Sequence, residues 1–195
     1  DHIHGVTSLV KHFAMETGQY SKHGRTVLQQ LAEAAAEYHD LGKLNSENQK
    51  VLSGETAAKV LPVNHVDAGA AHWLNDQRFS SFCAAITQAH HIGFPDFSAE
   101  LNKGELIFRD TQISAMVDQE LTELEAIHNN LISRRDRTPI YETITGDLSV
   151  FLRMLLSCIA DADHTDTARH YRRYPQTDVH IPLNVEKRLA RLDEC

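Results

Sequence analysis

Apolar residues recur at steps of three and four along most of this 195-residue chain, the spacing that gathers them on one face of an α-helix. The first such run spans residues 2–15 and ends near Gly18. A second run, over residues 26–38, leads to Gly42, which we expect to adopt the left-handed conformation that closes a helix. No alternating run of strand-forming residues reaches a useful length. The pattern therefore predicts an all-α protein.

The later part of the chain continues the helical pattern. Asn45 is suited to cap a short helix, residues 94–104 are predicted to form a loop, and Gly146-Asp147 is predicted to cap the most apolar helix. The helices predicted after Gly42 span residues 46–52, 65–73, 80–90, 105–132 (with at most one break), 148–162 and 185–192. Because no linker, repeat or low-complexity tract divides the chain, we expect one domain over residues 1–195.

The composition is that of an ordinary globular protein, with 42% apolar and 24% charged residues. No stretch approaches the ~20 apolar residues of a membrane span, and the N-terminus lacks a secretory signal pattern, so no membrane association is expected. Cys83, Cys158 and Cys195 are odd in number and far apart, which predicts free thiols in a reducing compartment, the cytoplasm. The start at Asp1 favours an excerpt of a longer protein over a stand-alone subunit.

The net charge of −8 argues against broad, nonspecific adhesion to nucleic acid, which requires a basic face. It does not exclude a nuclease, because a metal site lined by carboxylates counts as acidic until cations fill it. Basic residues cluster at 134–137 and 169–173. We interpret these clusters as solvated helix ends in preference to a DNA-binding track.

Potential metal ligands occur at five places, each at a predicted helix end, in a chain with 13 histidines. The five places are His2 with His4, the pair His39-Asp40, His65, the pair His90-His91, and Asp161 with Asp163. Each has an ordinary structural explanation when taken alone: a histidine can cap the end of a helix, and Asp163 can cap the start of a following one. The combination supplies enough nitrogen and oxygen ligands for two divalent cations.

Adjacent residues on a helix point about 100° apart, so one member of His39-Asp40 can face one ion while the other reaches a second. This arrangement predicts a two-metal hydrolytic centre. Other catalytic patterns are absent. A phosphate-binding loop ending at Gly42-Lys43 would need glycine at 37 and serine or threonine at 44, where the chain has Glu37 and Leu44. The cysteines lack zinc spacing, and neither H-E-x-x-H nor G-x-S-x-G occurs.

The order of these residues resembles the HD metal-dependent phosphohydrolase superfamily, and in detail the HD nuclease domain of the CRISPR-associated type I helicase-nuclease. Residues 36–43 (AEYHDLGK) with 48–52 (NQKVL) are similar to its HD-x-GK … FQ-x-x-L stretch. Residues 65–70 (HVDAGA), 90–95 (HHIGFP) and 157–167 (SCIADADHTDT) are similar to its H-x-x-x-GA, HHxGxP and DADxxDT motifs. The resemblance covers residues 2 to about 167, with the motifs in order.

The resemblance implies an HD-domain helical bundle with a metal site at its centre. The residues that match the family's metal ligands are His2, His39, Asp40, His65, His90, His91 and Asp163. Asp40 is the expected bridge between two ions, and Lys43 matches the lysine expected at the scissile phosphate. His4 and Asp161 are the alternatives to His2 and Asp163. Imidazole-rich sites favour Mn, Fe, Co or Ni, with Mg also possible.

The activity implied is hydrolysis of phosphodiester bonds in single-stranded DNA during type I CRISPR interference, an antiviral defence. The implied partners are single-stranded DNA, a CRISPR helicase domain or subunit and the CRISPR RNA-guided surveillance complex. The chain departs from the family in two ways. Asn48 stands where the family has phenylalanine, a change expected to affect packing more than chemistry, and the helicase part is missing.

Two other hypotheses remain open on the sequence alone. HD motifs also fit a phosphohydrolase that acts on nucleotides or cyclic dinucleotides. A non-catalytic interaction domain would use the same histidines and aspartates as structural residues. Substrate preference separates the first alternative from a nuclease, and metal analysis separates the second.

Overall fold

The computed structural model describes residues 2–19, 24–75, 80–132 and 148–173, and every regular element within these ranges is helical. The eight α-helices are α1 (His2–Gly18), α2 (Gly24–Tyr38), α3 (Ser46–Leu52), α4 (Val66–Asn75), α5 (Ser80–Ala89), α6 (Phe97–Leu101), α7 (Ser114–Leu131) and α8 (Leu148–His170). Two short 3₁₀ helices span Leu41–Leu44 and Gly104–Leu106. The prediction of an all-α protein is confirmed.

Helix α2 lies at the centre of the packing. It contacts α1, α5 and α8, while α4 packs on α5 and α7. Its apolar stripe, which includes Leu28 and Leu31, is buried in one core with Ile86 of α5 and Leu155 and Ile159 of α8. Burying each such side chain contributes roughly 1.5–3 kcal/mol. The apolar stripe places α2 at the centre, so the residues directly after its last turn lie in the middle of the protein.

Gly42 does not adopt the expected left-handed conformation; that prediction is wrong. It lies inside the 3₁₀ helix Leu41–Leu44, and its φ is not positive. Glycine is needed here because another part of the backbone passes close to it. A Cβ at this position would meet the backbone of His65, lying against its carbonyl oxygen and 2.7 Å from its Cα. The Gly42 N–H donates a hydrogen bond of 3.1 Å to that carbonyl, which joins the end of α2 to the start of α4.

The segment between α5 and α7 differs from its prediction at two points. Part of the predicted loop over 94–104 forms α6, because the Asp96 side chain accepts hydrogen bonds from Ser98 N and Ala99 N at its start. The helix predicted from 105 begins only at Ser114. Phe108 has a φ of 58°, a conformation that an α-helix does not contain.

Some of the remaining local predictions can be compared with the structure, and others concern residues outside the described ranges. Asn45 caps α3 as expected. Helix α8 continues to His170, so Asp163 lies within a helix and not at the start of a new one. The cap at Gly146-Asp147, the basic cluster 134–137, Cys195 and the helix over 185–192 lie outside the described residues. Among the described helices, none combines the length and apolarity needed to cross a membrane.

Candidate metal centre

All seven ligands predicted from the sequence lie together where α1, α2, α4, α5 and α8 meet. They form two groups that share Asp40: one contains His2, His39, Asp40 and Asp163, and the other contains Asp40, His65, His90 and His91. Within each group, one ligand atom from every residue lies within 4.8 Å of the others. Each group can therefore hold a metal ion.

The first group is largely buried. The Nε2 atom of His2 lies 3.1 Å from Asp163 Oδ1 and 3.3 Å from Asp40 Oδ2. The Nε2 atom of His39 lies 3.2 Å from the same Asp40 oxygen. The side chains of His39 and Asp40 are 0% and 3% exposed. Two imidazole nitrogens and two carboxylate oxygens thus converge on one point from α1, from the end of α2 and from α8.

The second group uses the other oxygen of Asp40. The Nε2 atoms of His65 and His90 lie 3.4 Å and 3.9 Å from Asp40 Oδ1. The Nε2 atoms of His91 and His65 are 2.9 Å apart. Asp40 therefore presents Oδ2 to the first group and Oδ1 to the second, the disposition of a bridging carboxylate.

Three of the histidine rings are held by a hydrogen bond on the far side. The Nδ1 atom of His39 donates to the carbonyl of Ala36 at 2.7 Å, and that of His90 donates to the carbonyl of Thr87 at 2.6 Å. The Nδ1 atom of His2 lies 2.8 Å from a carboxylate oxygen of Asp166. Because Nδ1 is engaged in this way, Nε2 faces the centre, as in metal-ligating histidines supported by a second hydrogen-bonding partner.

Four buried polar atoms at the centre have no hydrogen-bond partner. They are the Nε2 atoms of His2, His39 and His90 and Oδ1 of Asp40. Buried polar atoms in proteins are nearly always satisfied, since leaving one unpaired costs about 1–3 kcal/mol. Their convergence on one small region fits a cation that accepts their lone pairs. The donor set, imidazole nitrogen with carboxylate oxygen, is that of a borderline divalent ion.

The electrostatics of the first group favour charged side chains. The carboxylates of Asp163 and Asp40 raise the pKa of His2 to about 10, against the opposing effect of burial. Burial alone would lower the pKa of His39, but Asp40 and Asp163 outweigh it and the pKa is raised. Burial would likewise raise the pKa of both carboxyl groups. The nearby histidines instead hold the pKa of Asp40 well below its usual range and lower that of Asp163 to about 2.

In the second group, the pKa values of the histidines are lowered instead of raised. Burial is the main cause that lowers the pKa of His65 to about 4 and that of His90 to about 3. Burial also lowers the pKa of His91. These three imidazoles are therefore uncharged near neutral pH, which is the form that binds metal.

This contrast predicts different proton release by the two groups. Near neutral pH a cation that binds the first group must displace the proton of His2, whose pKa is raised, so we expect release of about one proton per ion or more. The affinity of this group should rise with pH through the neutral range. A cation that binds the second group should release almost none, and its affinity should stay flat until the pH falls towards the lowered values. Calorimetric titration with Mn²⁺ in buffers of different ionisation enthalpy measures the number of protons released. The same titration at several pH values measures the affinity.

The matched control for this prediction is a substitution at His4, two residues after His2. His2→Ala should lower the number of protons released by the first group, whereas His4→Ala, at an exposed position of the same helix, should leave it unchanged. Equal proton release by both variants would contradict the assignment of His2 to the first group.

The structure separates the alternatives that the sequence left open. His2 lies in the first group on the same side of α1 as the buried Val6 and Val10, and His4 is exposed. Asp163 is buried in the group, whereas Asp161 is exposed and lines a separate cleft between α1 and α8. Of the five places with predicted ligands, the first lies at the start of α1 and the last lies within α8, whereas His39-Asp40, His65 and His90-His91 lie directly beside helix ends.

Lys43 also lies at the centre. Its Nζ is 2.5 Å from Oδ2 of Asp40, and its side chain is 28% exposed. The 3₁₀ helix Leu41–Leu44 makes this contact possible, because it turns the chain back one residue after Asp40. A partly exposed ammonium beside a buried carboxylate can contact an anion that approaches from solvent.

Two further residues support the site, and the sequence analysis did not assign either of them this role. Asp166 supports His2, and its position three residues after Asp163 on the same helix face was the available signal. Asn48 is fully buried, and its side chain joins two segments through hydrogen bonds. Its amide donates to the carbonyls of Gly42 and Val63 at 2.9 Å and 3.0 Å and accepts from Val63 N at 3.0 Å. It thereby holds the segment before His65 against the 3₁₀ helix.

These observations define an all-α protein with a candidate metal centre of two His/Asp groups. No protein-family model, curated protein or solved structure matches the chain.

Proposed function

We propose that this protein is a divalent-metal-dependent phosphodiesterase that cleaves single-stranded DNA. The observation that carries the proposal is the shared carboxylate: Asp40 turns one oxygen to each of two groups of ligands, amid buried nitrogen atoms that have no hydrogen-bond partner. Two cations a few ångströms apart, bridged by one carboxylate, are typical of enzymes that hydrolyse phosphate esters.

Two divalent ions would be held, one by each group, with Asp40 common to both. Mn, Fe, Co or Ni suits the five imidazoles better than Mg does. When bound, such ions lower the pKa of water and neutralise charge on the phosphate. The protein's own contribution is orientation, because the hydrogen bonds from His39 and His90 to backbone carbonyls fix both rings before any ion arrives.

Lys43 has the second role in the proposal. Its ammonium contacts Asp40 and is partly exposed, so it can move from the carboxylate to a non-bridging oxygen of a phosphate. A cation on Asp40 would favour this movement, because it repels the ammonium and replaces it as the partner of the carboxylate. The lysine would then bind substrate in the loaded enzyme.

The choice of single-stranded DNA, and of type I CRISPR interference as the setting, is supported by the motifs that follow the HD pair in order. The net charge of −8 fits a domain that receives its strand from a helicase and an RNA-guided complex, since it does not favour independent capture of nucleic acid. A phosphohydrolase of nucleotides or cyclic dinucleotides would use the same centre.

The test compares substrates on the metal-loaded protein. With Mn²⁺ or Ni²⁺, we expect cleavage of single-stranded DNA at a rate at least tenfold above that for mononucleotides, cyclic dinucleotides and duplex DNA. Preferential hydrolysis of a nucleotide or cyclic dinucleotide would replace the nuclease assignment with the alternative. Purified protein that holds no transition metal, and shows no thermal shift when one is added, would overturn the proposal in favour of an interaction domain.

A further inference from the structure

A cleft opens beside the second group of ligands. It has a volume of about 480 Å³, and its wall includes His65 and His91. The other wall residues come from the start of α4, the end of α5 and the segment 103–111. A molecule in this cleft would be in contact with two of the candidate ligands, so the cleft is continuous with the place where chemistry is proposed.

The two cationic side chains in the wall are already neutralised. Arg109 is 7% exposed and lies 2.8 Å from Asp67 and 2.9 Å from Asp118. Lys103 lies 2.7 Å from Glu100 and also donates to the carbonyl of Arg109. Such pairing leaves little positive potential for a phosphate group. The cleft therefore suits an uncharged part of the substrate.

Two carboxylates also line the wall: Asp67 is paired with Arg109, and Asp110 accepts hydrogen bonds from the Asn64 amide and from Gln112 N. The other wall residues are apolar or carry neutral hydrogen-bonding groups. Val66, Ile92 and Phe108 are apolar, and the side chains of Asn64 and Gln88 supply amides. The Oε1 atom of Gln88 is buried and has no hydrogen-bond partner. Apolar walls combined with amide groups are the surroundings in which proteins bind nucleobases, and glutamine and asparagine pair with base edges.

We propose that this cleft binds the nucleobase of the nucleotide that adjoins the scissile phosphate. The inference rests on the proposed function, since it assumes that a nucleic acid is the substrate. The phosphate would lie at the metal groups and Lys43, and the base would enter the cleft beside His65 and His91. Only an unpaired base can do so without opening a duplex, so the cleft supplies a physical reason for preference for single strands.

The first experiment changes Gln88, whose buried Oε1 has no hydrogen-bond partner. In metal-free protein, binding of 2′-deoxyadenosine is measured by NMR titration for the wild type, Gln88→Leu and the control Gln112→Leu, an exposed position next to the cleft-lining Thr111. We expect Gln88→Leu to weaken binding by about fivefold, the loss of one neutral hydrogen bond, with a melting temperature no lower than that of the wild type, because the buried oxygen without a partner is removed. The control should bind as the wild type does.

The second experiment uses the unmodified enzyme and separates this inference from the proposed function. An oligonucleotide with one abasic site is cleaved with Mn²⁺ present, and the position of each cut is mapped. We expect the KM for cleavage at the abasic position to rise about tenfold, the contribution of one bound base. Equal cleavage there would overturn the base-binding cleft while leaving the nuclease assignment standing. Absence of deoxyadenosine binding, or equal binding by Gln88→Leu, would overturn the inference whether or not the protein cuts DNA.

Discussion

Replacing Asp40 with alanine is expected to remove both metal ions and abolish cleavage. Its two oxygens face different groups of ligands, so one substitution takes a carboxylate from each. The remaining ligands are histidines and, in the first group only, Asp163. Loss of a group on which the whole centre depends lowers turnover by roughly 10³-fold or more. Metal content after dialysis and the rate of single-stranded DNA cleavage give the two measurements.

The control for Asp40→Ala is Asp161→Ala. Asp161 is exposed, lies outside both groups and was the sequence-based alternative to Asp163, so its loss should leave metal content and rate unchanged. Asp40→Asn preserves the shape of the side chain and removes its charge, which separates loss of ligation from loss of packing. Circular dichroism should show native helix content in all three variants. If a folded Asp40→Ala protein retained two ions or full cleavage, the assignment would be wrong.

Adding one methyl group at Gly42 is expected to damage both the fold and the second group. The new Cβ would meet the carbonyl oxygen, carbonyl carbon and Cα of His65, all backbone atoms that cannot rotate away. The backbone must move instead, and the hydrogen bond from Gly42 N to that carbonyl would be strained. We expect Gly42→Ala to lower the free energy of unfolding by about 3 kcal/mol, the upper end of overpacking costs. Urea denaturation measures this change.

Gly54→Ala is the matched control for this prediction. Gly54 has a φ of 79°, and a Cβ there would meet nothing within 4 Å, so alanine costs only the left-handed conformation, about 1 kcal/mol. Gly42→Ala should also lose the ion of the second group, because His65 is displaced, while the first group keeps its ion. Equal stability of the two variants would show that the approach between Gly42 and His65 is not a constraint.

Much of the site was predictable because its ligands occur in short motifs that follow one another in a recognisable order along the chain. The residue types, the spacing within each pair and the sequence of motifs selected His39 and Asp40 together with His65, His90 and His91, and the structure brings these five together. The resemblance favoured His2 over His4, and the structure places His2 in the first group. These inferences need only local geometry, which the sequence carries directly.

The errors fall where contacts between distant segments override local preference. Gly42 matched the signal for a helix end, but it lies within a 3₁₀ helix, and glycine is needed there because the chain passes beside it at His65. The start of α7 was misplaced because Asp67 receives hydrogen bonds from Arg109 and from Asp110 N, which hold that segment out of the helix. The three hydrogen bonds of Asn48 join the 3₁₀ helix at Gly42 to Val63 in the loop before α4, contacts that local sequence does not predict.

The sequence by itself determined the helical class and the identity of the groups that can bind metal, since both depend on residue type and on spacing within one or two turns. The tertiary structure decided that these groups meet. His2 and Asp166, 164 positions apart, are joined by one hydrogen bond, and Asp40 is shared between two sets of ligands only because α1, α5 and α8 pack around α2. The burial of apolar faces drives that packing. As a consequence, the polar ligand atoms face one another at the centre of the protein.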